Sequence, residues 1–429
     1  MNTTEPNDAP GLPAREAALN LLTAALSGRA GLDEGLTHPG LAALAPRDRA
    51  FARALAMATL RRLGPIDAAL QAKVQKPPPD RVVQILRLGV AQIFVLGTPA
   101  HAAVATSVDL AAAQAGTRPL KGLVNAVLRG LTREPPDLDR PELLAPPWLY
   151  ARWQAAFGPD AARAIAAVIA AEPATDLSLK DPADAADLAG PLEAEVLPGG
   201  SLRTALRGDV STWPGFAEGR WWVQDAAAAI PARLLAAQAG ETVLDLCAAP
   251  GGKTMQLAAA GAAVTALDKS AGRLKRVAEN LARVGLSAQI VAADAASWPA
   301  QGQFEAVLLD APCSATGTFR RQPDVLWAAK PGDIASLAAL QSRLLDAAAR
   351  RVKPGGRLVY CVCSLEPEEG EGQVAAFLAR NPGFALDPAT PGEGGAPEAS
   401  LRADGTLRIL PHHQPGGIDG FYVARLRRS

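Results

Sequence analysis

Cysteine is scarce: four thiols serve 429 residues, all of them within the last 183. They stand at 247, 313, 361 and 363, which is not the spacing of zinc ligands, and only four scattered histidines could assist them. No metal is therefore expected, and free thiols suit a reducing cytoplasm. Aromatic residues make up only 4%. With alanine supplying much of the apolar content, helices are favoured over a large β-sandwich. Net charge is lacking too: basic and acidic side chains number 43 each, so whole-chain electrostatics neither demands nor excludes a polyanionic partner. No long apolar run is intact. LGVAQIFVLGTPAHAAVATSVDLAAA is interrupted by Gln92, Pro99, His101 and Asp109, which suits core helices rather than a bilayer span, so no membrane partner is expected. The opening MNTTEPNDAPGLPA has neither the basic residues nor the apolar stretch of an export leader.

The length points to two or three domains. Residues 1–12 read as a disordered tail. From 13 to 138, AREAALNLLTAAL, RDRAFARALAMATLRRLGPIDAAL, RVVQILRLGVAQIFVLG and LKGLVNAVLRGL carry apolar residues at steps of three and four, the pattern of a helix bundle. Residues 139–221 begin with the proline-rich EPPDLDRPELLAPPW and continue with short extended runs, TDLSLK and AEVLP, as expected of a linker and a small α/β domain. From 222 to 429 strands alternate with helices: ETVLDLC, AAVTALD, AQIVAAD, FEAVLLD and, after a KPGG turn, RLVYCVCS. That alternation implies a parallel sheet wrapped on both faces, with ligands gathering beyond the carboxyl ends of its strands.

The loop CAAPGGK follows the first of these strands. Gly251 and Gly252 allow close backbone approach, yet the GxGxxG spacing of a pyrophosphate cradle is absent and Pro250 interrupts the loop. Asp268, Asp294 and Asp310 close the next three strands. Each alone reads equally well as a helix cap. Together on one rim they outline a nucleoside pocket, and S-adenosylmethionine fits it, since the adenine and ribose need acceptors and the sulfonium needs no phosphate grip. Cys313 and Cys363 follow strand ends on that rim, whereas Cys361 reads as apolar filler and Cys247 as loop spacing. A methyl donor beside thiols suggests an acceptor that must be activated covalently. Pyrimidine C5 is one: it becomes nucleophilic once a thiolate adds to C6.

LDLCAAPGGKT, LDAPCSATGTFRRQPDVLW and YCVCSLEPEE closely resemble the motifs of the NOL1/NOP2/Sun RNA (cytosine-5) methyltransferases. RDRAFARALAMATLRRLGPID, KGLVNAVLRGL, PGFAEGRWWVQDAAAAIPARLL and DGFYVARLRR resemble the bacterial 16S rRNA Sun/Fmu (RsmB) type. The resemblance implies a multidomain fold: an all-α NusB-like helix bundle that binds RNA, a small α/β middle domain and a Rossmann-like α/β S-adenosylmethionine methyltransferase domain. It implies that Cys247, Ala248, Ala249, Pro250, Gly251, Gly252 and Lys253 line the methionine end of the cofactor, with Asp268 on the ribose and Asp294 near the adenine. Asp310 would lie beside cofactor and cytosine. Cys363 would be the nucleophile and Cys313 would aid product release; attack by Cys313, as in DNA cytosine methyltransferases, stays open. Ala315, Val362 and Gly370 depart from the family's usual glycine, threonine and asparagine.

The implied partner is 16S rRNA or a small-subunit precursor, bound by a monomer. Arg47, Arg49, Arg61 and Arg62 on the bundle, and Arg320 and Arg321 beside the thiol loop, are the candidate phosphate contacts. Solvated helix faces or ion pairs explain any single bundle arginine equally well, whereas Arg320 and Arg321 are the better candidates because they adjoin the proposed chemistry. Two rivals stand beside the enzyme: an RNA-binding assembly factor with an idle catalytic domain, and a cytosine-5 methyltransferase acting on another RNA.

Overall fold

The structure, a computed structural model, describes residues 11–28, 31–299 and 302–429. The tail expected over 1–12 lies outside the described residues up to 10, and Leu12 already opens the first helix, Leu12–Ser27. The chain divides into two compact units, one holding residues up to 171 together with 321–329, the other 172–320 and 330–429.

The first unit is helical. Its principal helices are Leu12–Ser27, Pro46–Arg61, Asp80–Phe94, Ala100–Ala113 and Lys121–Arg133. Leucines and valines three and four residues apart turn inward, and Leu19, Leu22, Leu55, Leu60, Val82, Ile85 and Leu128 are wholly or almost wholly buried in one core. Helices Asp80–Phe94 and Lys121–Arg133 approach closely because Gly89 has no side chain; a Cβ there would stand 2.7 Å from Leu128 Cδ1. Two segments join this unit against the sequence expectation. Helices Pro147–Phe157 and Pro159–Ala167, assigned above to the linker and middle domain, fall within it. So does 321–329, where Trp327 packs on the bundle core and donates its Nε1–H to the Leu60 carbonyl at 3.2 Å.

The second unit contains two sheets. Strands β1 (Thr175–Leu179), β2 (Ala194–Val196), β3 (Leu202–Thr204) and β4 (Trp221–Val223) form a small antiparallel sheet in the order β2-β3-β1-β4. Leu177, Leu202, Trp213 and Trp221 fill its own core. The larger sheet uses β5 (Thr242–Leu246), β6 (Ala263–Asp268), β7 (Gln289–Ala292), β8 (Phe304–Asp310), β9 (Val352–Val362), β10 (Phe384–Leu386), β11 (Leu407–Ile409) and β12 (Phe421–Arg428). Its order is β10-β12-β9-β8-β5-β6-β7, with β11 beside β12.

Pairing is parallel from β9 through β8, β5 and β6 to β7, as the alternating pattern implies. Strands β10, β11 and β12 are antiparallel additions, so the sheet is mixed rather than parallel throughout. The KPGG expected as a turn lies inside β9, where pairing with β8 jumps from Val352 to Arg357. Helices cover both faces, and apolar residues that alternate along β5, β8 and β9 feed two cores, one led by Val243, Leu308 and Val359, the other by Leu244, Leu309 and Leu358.

Candidate active site

Because β5, β6, β8 and β9 run parallel, the chain leaves all four at one edge of the sheet, and the loops beyond them share a rim. β8 and β9 are neighbours, and Asp310 stands in register with Cys361. The Ala311 N–H donates to the Cys361 carbonyl at 3.0 Å, and the Gly317 N–H to that of Cys363, also at 3.0 Å. These bonds lay the loop after β8 along the loop after β9. The two sulfurs singled out by sequence consequently meet: Cys313 Sγ lies 3.4 Å from Cys363 Sγ.

The electrostatics of this pair is uneven. The hydrogen bond to Cys363, burial, and the negative charges of Cys363 and Glu369 all push the Cys313 thiol well above its ordinary range. Cys313 therefore holds its proton, and either sulfur can be the donor in the contact between them. Cys361 is wholly buried in the sheet core, its Sγ 3.4 Å from Asp310 Oδ1. Burial also raises the Cys247 thiol, with Asp310, Asp268 and Asp245 adding to the effect. Neither of these two thiols is suited to nucleophilic work.

Lys253, expected to line the cofactor, directs its ammonium at Asp310 Oδ2, 2.7 Å away, and over the Phe421 ring. Although burial opposes the charge, the Asp310 carboxylate lifts the Lys253 pKa above its usual value. Lys253 thereby fixes Oδ2 of Asp310 at the end of β8. In the loop itself Cys247 and Gly251 take left-handed backbone angles, φ 60° and 106°, and the Ala249–Pro250 bond is cis. Asp268 ties this loop to β6: Oδ2 accepts the Ala249 N–H at 3.3 Å while Oδ1 accepts that of Ser270 at 2.9 Å. Asp294 is exposed, and its Oδ1 accepts the Ala296 N–H at 2.9 Å, the local cap that a lone aspartate makes.

As a donor set this rim fits S-adenosylmethionine. Carboxylates at the ends of β6 and β8, and Asp294 just beyond β7, supply acceptors for hydroxyl and amino groups beside a glycine loop that lacks a phosphate cradle. Among the described residues no group of three or more His, Cys, Asp or Glu side chains is placed to hold a metal ion.

Sequence reasoning overlooked Glu369. Its side chain is wholly buried behind the thiols and accepts the Ser314 N–H at 2.9 Å, the Ser364 hydroxyl at 2.5 Å, Gln341 Nε2 at 3.0 Å, and the Ser314 hydroxyl. A run of glutamates after a strand looks like solvated surface, so no local signal announced it.

Two arginine assignments are corrected. Arg320 is only 1% exposed; it pairs with Asp225 Oδ2 at 2.7 Å, approaches Asp419 Oδ1 at 3.6 Å and donates to the Gly416 carbonyl. No RNA phosphate reaches a guanidinium so enclosed. Arg61 is also buried, donating to the Ile169 carbonyl at 3.3 Å. Arg62 binds Asp139 and the Ala170 carbonyl. Arg47 and Arg49 are exposed, with Arg49 reaching the Ala42 carbonyl, and Arg321 is exposed as well. Arg47 and Arg62 stand at opposite ends of helix Pro46–Arg61, about 22 Å apart at 1.5 Å per residue, so they do not form one patch.

Known proteins resemble this chain along most of its length. Residues 232–427 match the family described as 16S rRNA methyltransferase RsmB/F, and residues 12–133 match the NusB family. The Pseudomonas putida ribosomal RNA small subunit methyltransferase B is 41% identical over 96% of this chain and 98% of its own length. The Vibrio cholerae protein of that name is 38% identical over 90% of each. The chain belongs to the RsmB/F methyltransferase family. The crystal structure of PH0851 superposes with a TM-score of 0.78 at 25% identity, covering 98% of this chain and 99% of that one. NSun6 from Pyrococcus horikoshii, solved with SFG, has a TM-score of 0.57 at 22% identity over 66% of this chain and 98% of its own, and shares the fold.

The departures from the expected RsmB/F pattern acquire physical meaning here. Ala315, at the position of the usual glycine, has φ 59°, a left-handed angle that glycine adopts without strain and alanine does not. Gly370, at the position of the usual asparagine, has no room for a side chain: a Cβ would stand 2.4 Å from Arg408 Nη2 and 2.8 Å from Tyr422 Cγ. Val362 is wholly buried in the sheet core beside Tyr360 and Leu309.

Proposed function

We propose that this protein methylates C5 of a cytosine in 16S rRNA, with S-adenosylmethionine as the donor and Cys363 as a transient covalent catalyst. The observation that carries the reading is the pairing of two thiols 3.4 Å apart beside a lysine-held aspartate, on the rim of a methyltransferase-type sheet. S-adenosylmethionine, when bound against the loop after β5, supplies an electrophilic methyl group.

The residues divide the remaining work. Cys363 gives up its thiol proton, by way of water, to Asp310 and adds its sulfur to C6, and the C5–C6 π electrons move onto C5, making it nucleophilic. Asp310, oriented by Lys253, passes that proton to the ring nitrogen that carries density during addition and takes it back when the sulfur is expelled. Cys313, held as a thiol, donates to the Cys363 sulfur before attack. After methylation a water takes the C5 proton, the C5–H electrons re-form the C5–C6 double bond, and the S–C6 pair departs on the Cys363 sulfur, which the Cys313 S–H stabilises by donating to it. A target base must leave any stack to reach this rim, so single-stranded or looped RNA is the substrate form favoured. Exposed Arg47 and Arg49 supply phosphate contacts that hold RNA without reading its sequence. On this reading the protein works in the cytoplasm.

Bisulfite sequencing of 16S rRNA from cells with and without the protein tests the proposal. One cytosine is expected to lose its protection when the protein is absent and regain it when the gene is restored. An unchanged protection map, with a methyl group lost from another base, contradicts C5 chemistry.

A further inference from the structure

Resting on the thiol chemistry proposed above, we infer that Glu369 is a positioning residue that sets the separation of Cys313 and Cys363. A wholly buried carboxylate costs free energy unless its lone pairs are satisfied, and charge is tolerated best with a cation nearby. The hydrogen bonds that Glu369 accepts come from neutral donors.

Where those donors come from is the informative feature. Ser314 immediately follows Cys313 and gives both its N–H and its hydroxyl. Ser364 immediately follows Cys363 and gives its hydroxyl at 2.5 Å. Gln341, from the helix Pro331–Ala349, spans the carboxylate at 3.0 Å and the Pro312 carbonyl at 2.9 Å, and Pro312 immediately precedes Cys313. The two serine hydroxyls also meet each other at 3.0 Å. Behind them Tyr360 donates its hydroxyl to the Glu369 carbonyl at 2.6 Å, pinning the backbone of the clamp to β9.

One carboxylate thus grips the residue beside each sulfur, and it does so from the protein side, away from any substrate. Its two oxygens share the work unevenly: Oε1 takes Gln341 and the Ser314 N–H at 2.9 Å, while Oε2 takes both hydroxyls and only the longer branch of that N–H, at 3.2 Å. The hydroxyls can rotate and become acceptors; the N–H groups cannot. A glutamine at this position keeps an oxygen for the fixed donors and offers its NH₂ to the rotated hydroxyls. An alanine keeps neither.

That asymmetry defines the test. Phenylarsine oxide binds two thiols at once, forming two As–S bonds and releasing water, so its uptake at the Cys313–Cys363 pair, mapped by mass spectrometry on the full-length protein, reports their spacing without RNA or cofactor. E369A is expected to reduce both arsenical uptake and kcat by about tenfold or more, the factor for one or two lost charge-assisted bonds, while KM for S-adenosylmethionine stays within about twofold. E369Q is expected to restore both to within about threefold of wild type. Wild-type uptake in folded E369A, or equal loss in E369A and E369Q, overturns the inference. If E369A does not fold, S364A decides: a several-fold drop in uptake and kcat supports the clamp, and no change overturns it. Methylation surviving C363A defeats the thiol mechanism instead, while leaving the arsenical result on thiol spacing to stand by itself.

Discussion

Replacing Arg320 by alanine separates a structural arginine from an RNA-binding one. The guanidinium lies between two buried carboxylates, Asp225 at 2.7 Å and Asp419 at 3.6 Å, and the three side chains are 0 to 2% exposed. Asp225 is committed elsewhere as well: its Oδ1 accepts the N–H groups of Ala227, at the start of the helix Ala226–Leu235, and of Asp419. Removal of the cation takes away the ion-pair partner shared by two buried carboxylates, which costs about 3–5 kcal/mol, and forfeits the bond to the Gly416 carbonyl, worth about 1 kcal/mol more. At about 2–4 °C per kcal/mol for a unit of this size, melting of the catalytic unit is expected to fall by roughly 10 °C. Differential scanning calorimetry measures this, and filter binding across a salt series measures the RNA side. The slope of log K against log salt is expected to stay unchanged at temperatures where the variant is folded. A melting point within about 2 °C of wild type, together with a slope shallower by about one, refutes the reasoning and restores Arg320 as a phosphate contact.

Further outcomes follow from other residues. Cys313→Ala is expected to accumulate a protein–RNA adduct visible on a denaturing gel, because the S–H that assists expulsion of Cys363 is gone; absence of any adduct defeats that role. Ala315→Gly is expected to stabilise the protein by about 1 kcal/mol in urea titrations, since φ 59° strains alanine alone. Burial raises the Asp245 carboxyl from 3.8 to about 7, against the opposing bond from Thr254, so the folded state holds this proton more tightly than the unfolded state. Its contribution to stability is full below pH 3.8 and is lost as pH rises through about 7. Urea midpoints at pH 5 and pH 8 are expected to differ less in Asp245→Asn than in wild type, and an equal difference contradicts this assignment.

The parts of the site legible in sequence were those fixed by chain position. Aspartates and cysteines that end apolar runs land on one rim because consecutive parallel strands point the same way, and that needs only the β-α alternation to be read. Which residues face each other across that rim was not legible. The 3.4 Å approach of Cys313 to Cys363 depends on β8 and β9 being neighbours, and Lys253 reaches Asp310 only because β5 adjoins β8. Charge misled for a related reason. Arg320 and Arg321 are identical letters in one loop, yet one is enclosed by partners nearly a hundred residues away in sequence and the other is exposed. Glu369 was hidden in the same way among the glutamates of LEPEE. The antiparallel strands β10, β11 and β12 carry no α-helix between them, so an alternation argument could not place them in the sheet.

The claim on which the rest depends is a bond between Cys363 sulfur and C6 of the target base. Incubating protein and S-adenosylmethionine with 16S rRNA containing 5-fluorocytosine, which cannot lose a proton from C5, tests it by digestion and peptide mass mapping. The nucleotide is expected on the peptide carrying Cys363, and Cys363→Ala is expected to abolish both the adduct and methyl transfer. A nucleotide mapped to Cys313, or methylation at the normal rate by Cys363→Ala, contradicts the account.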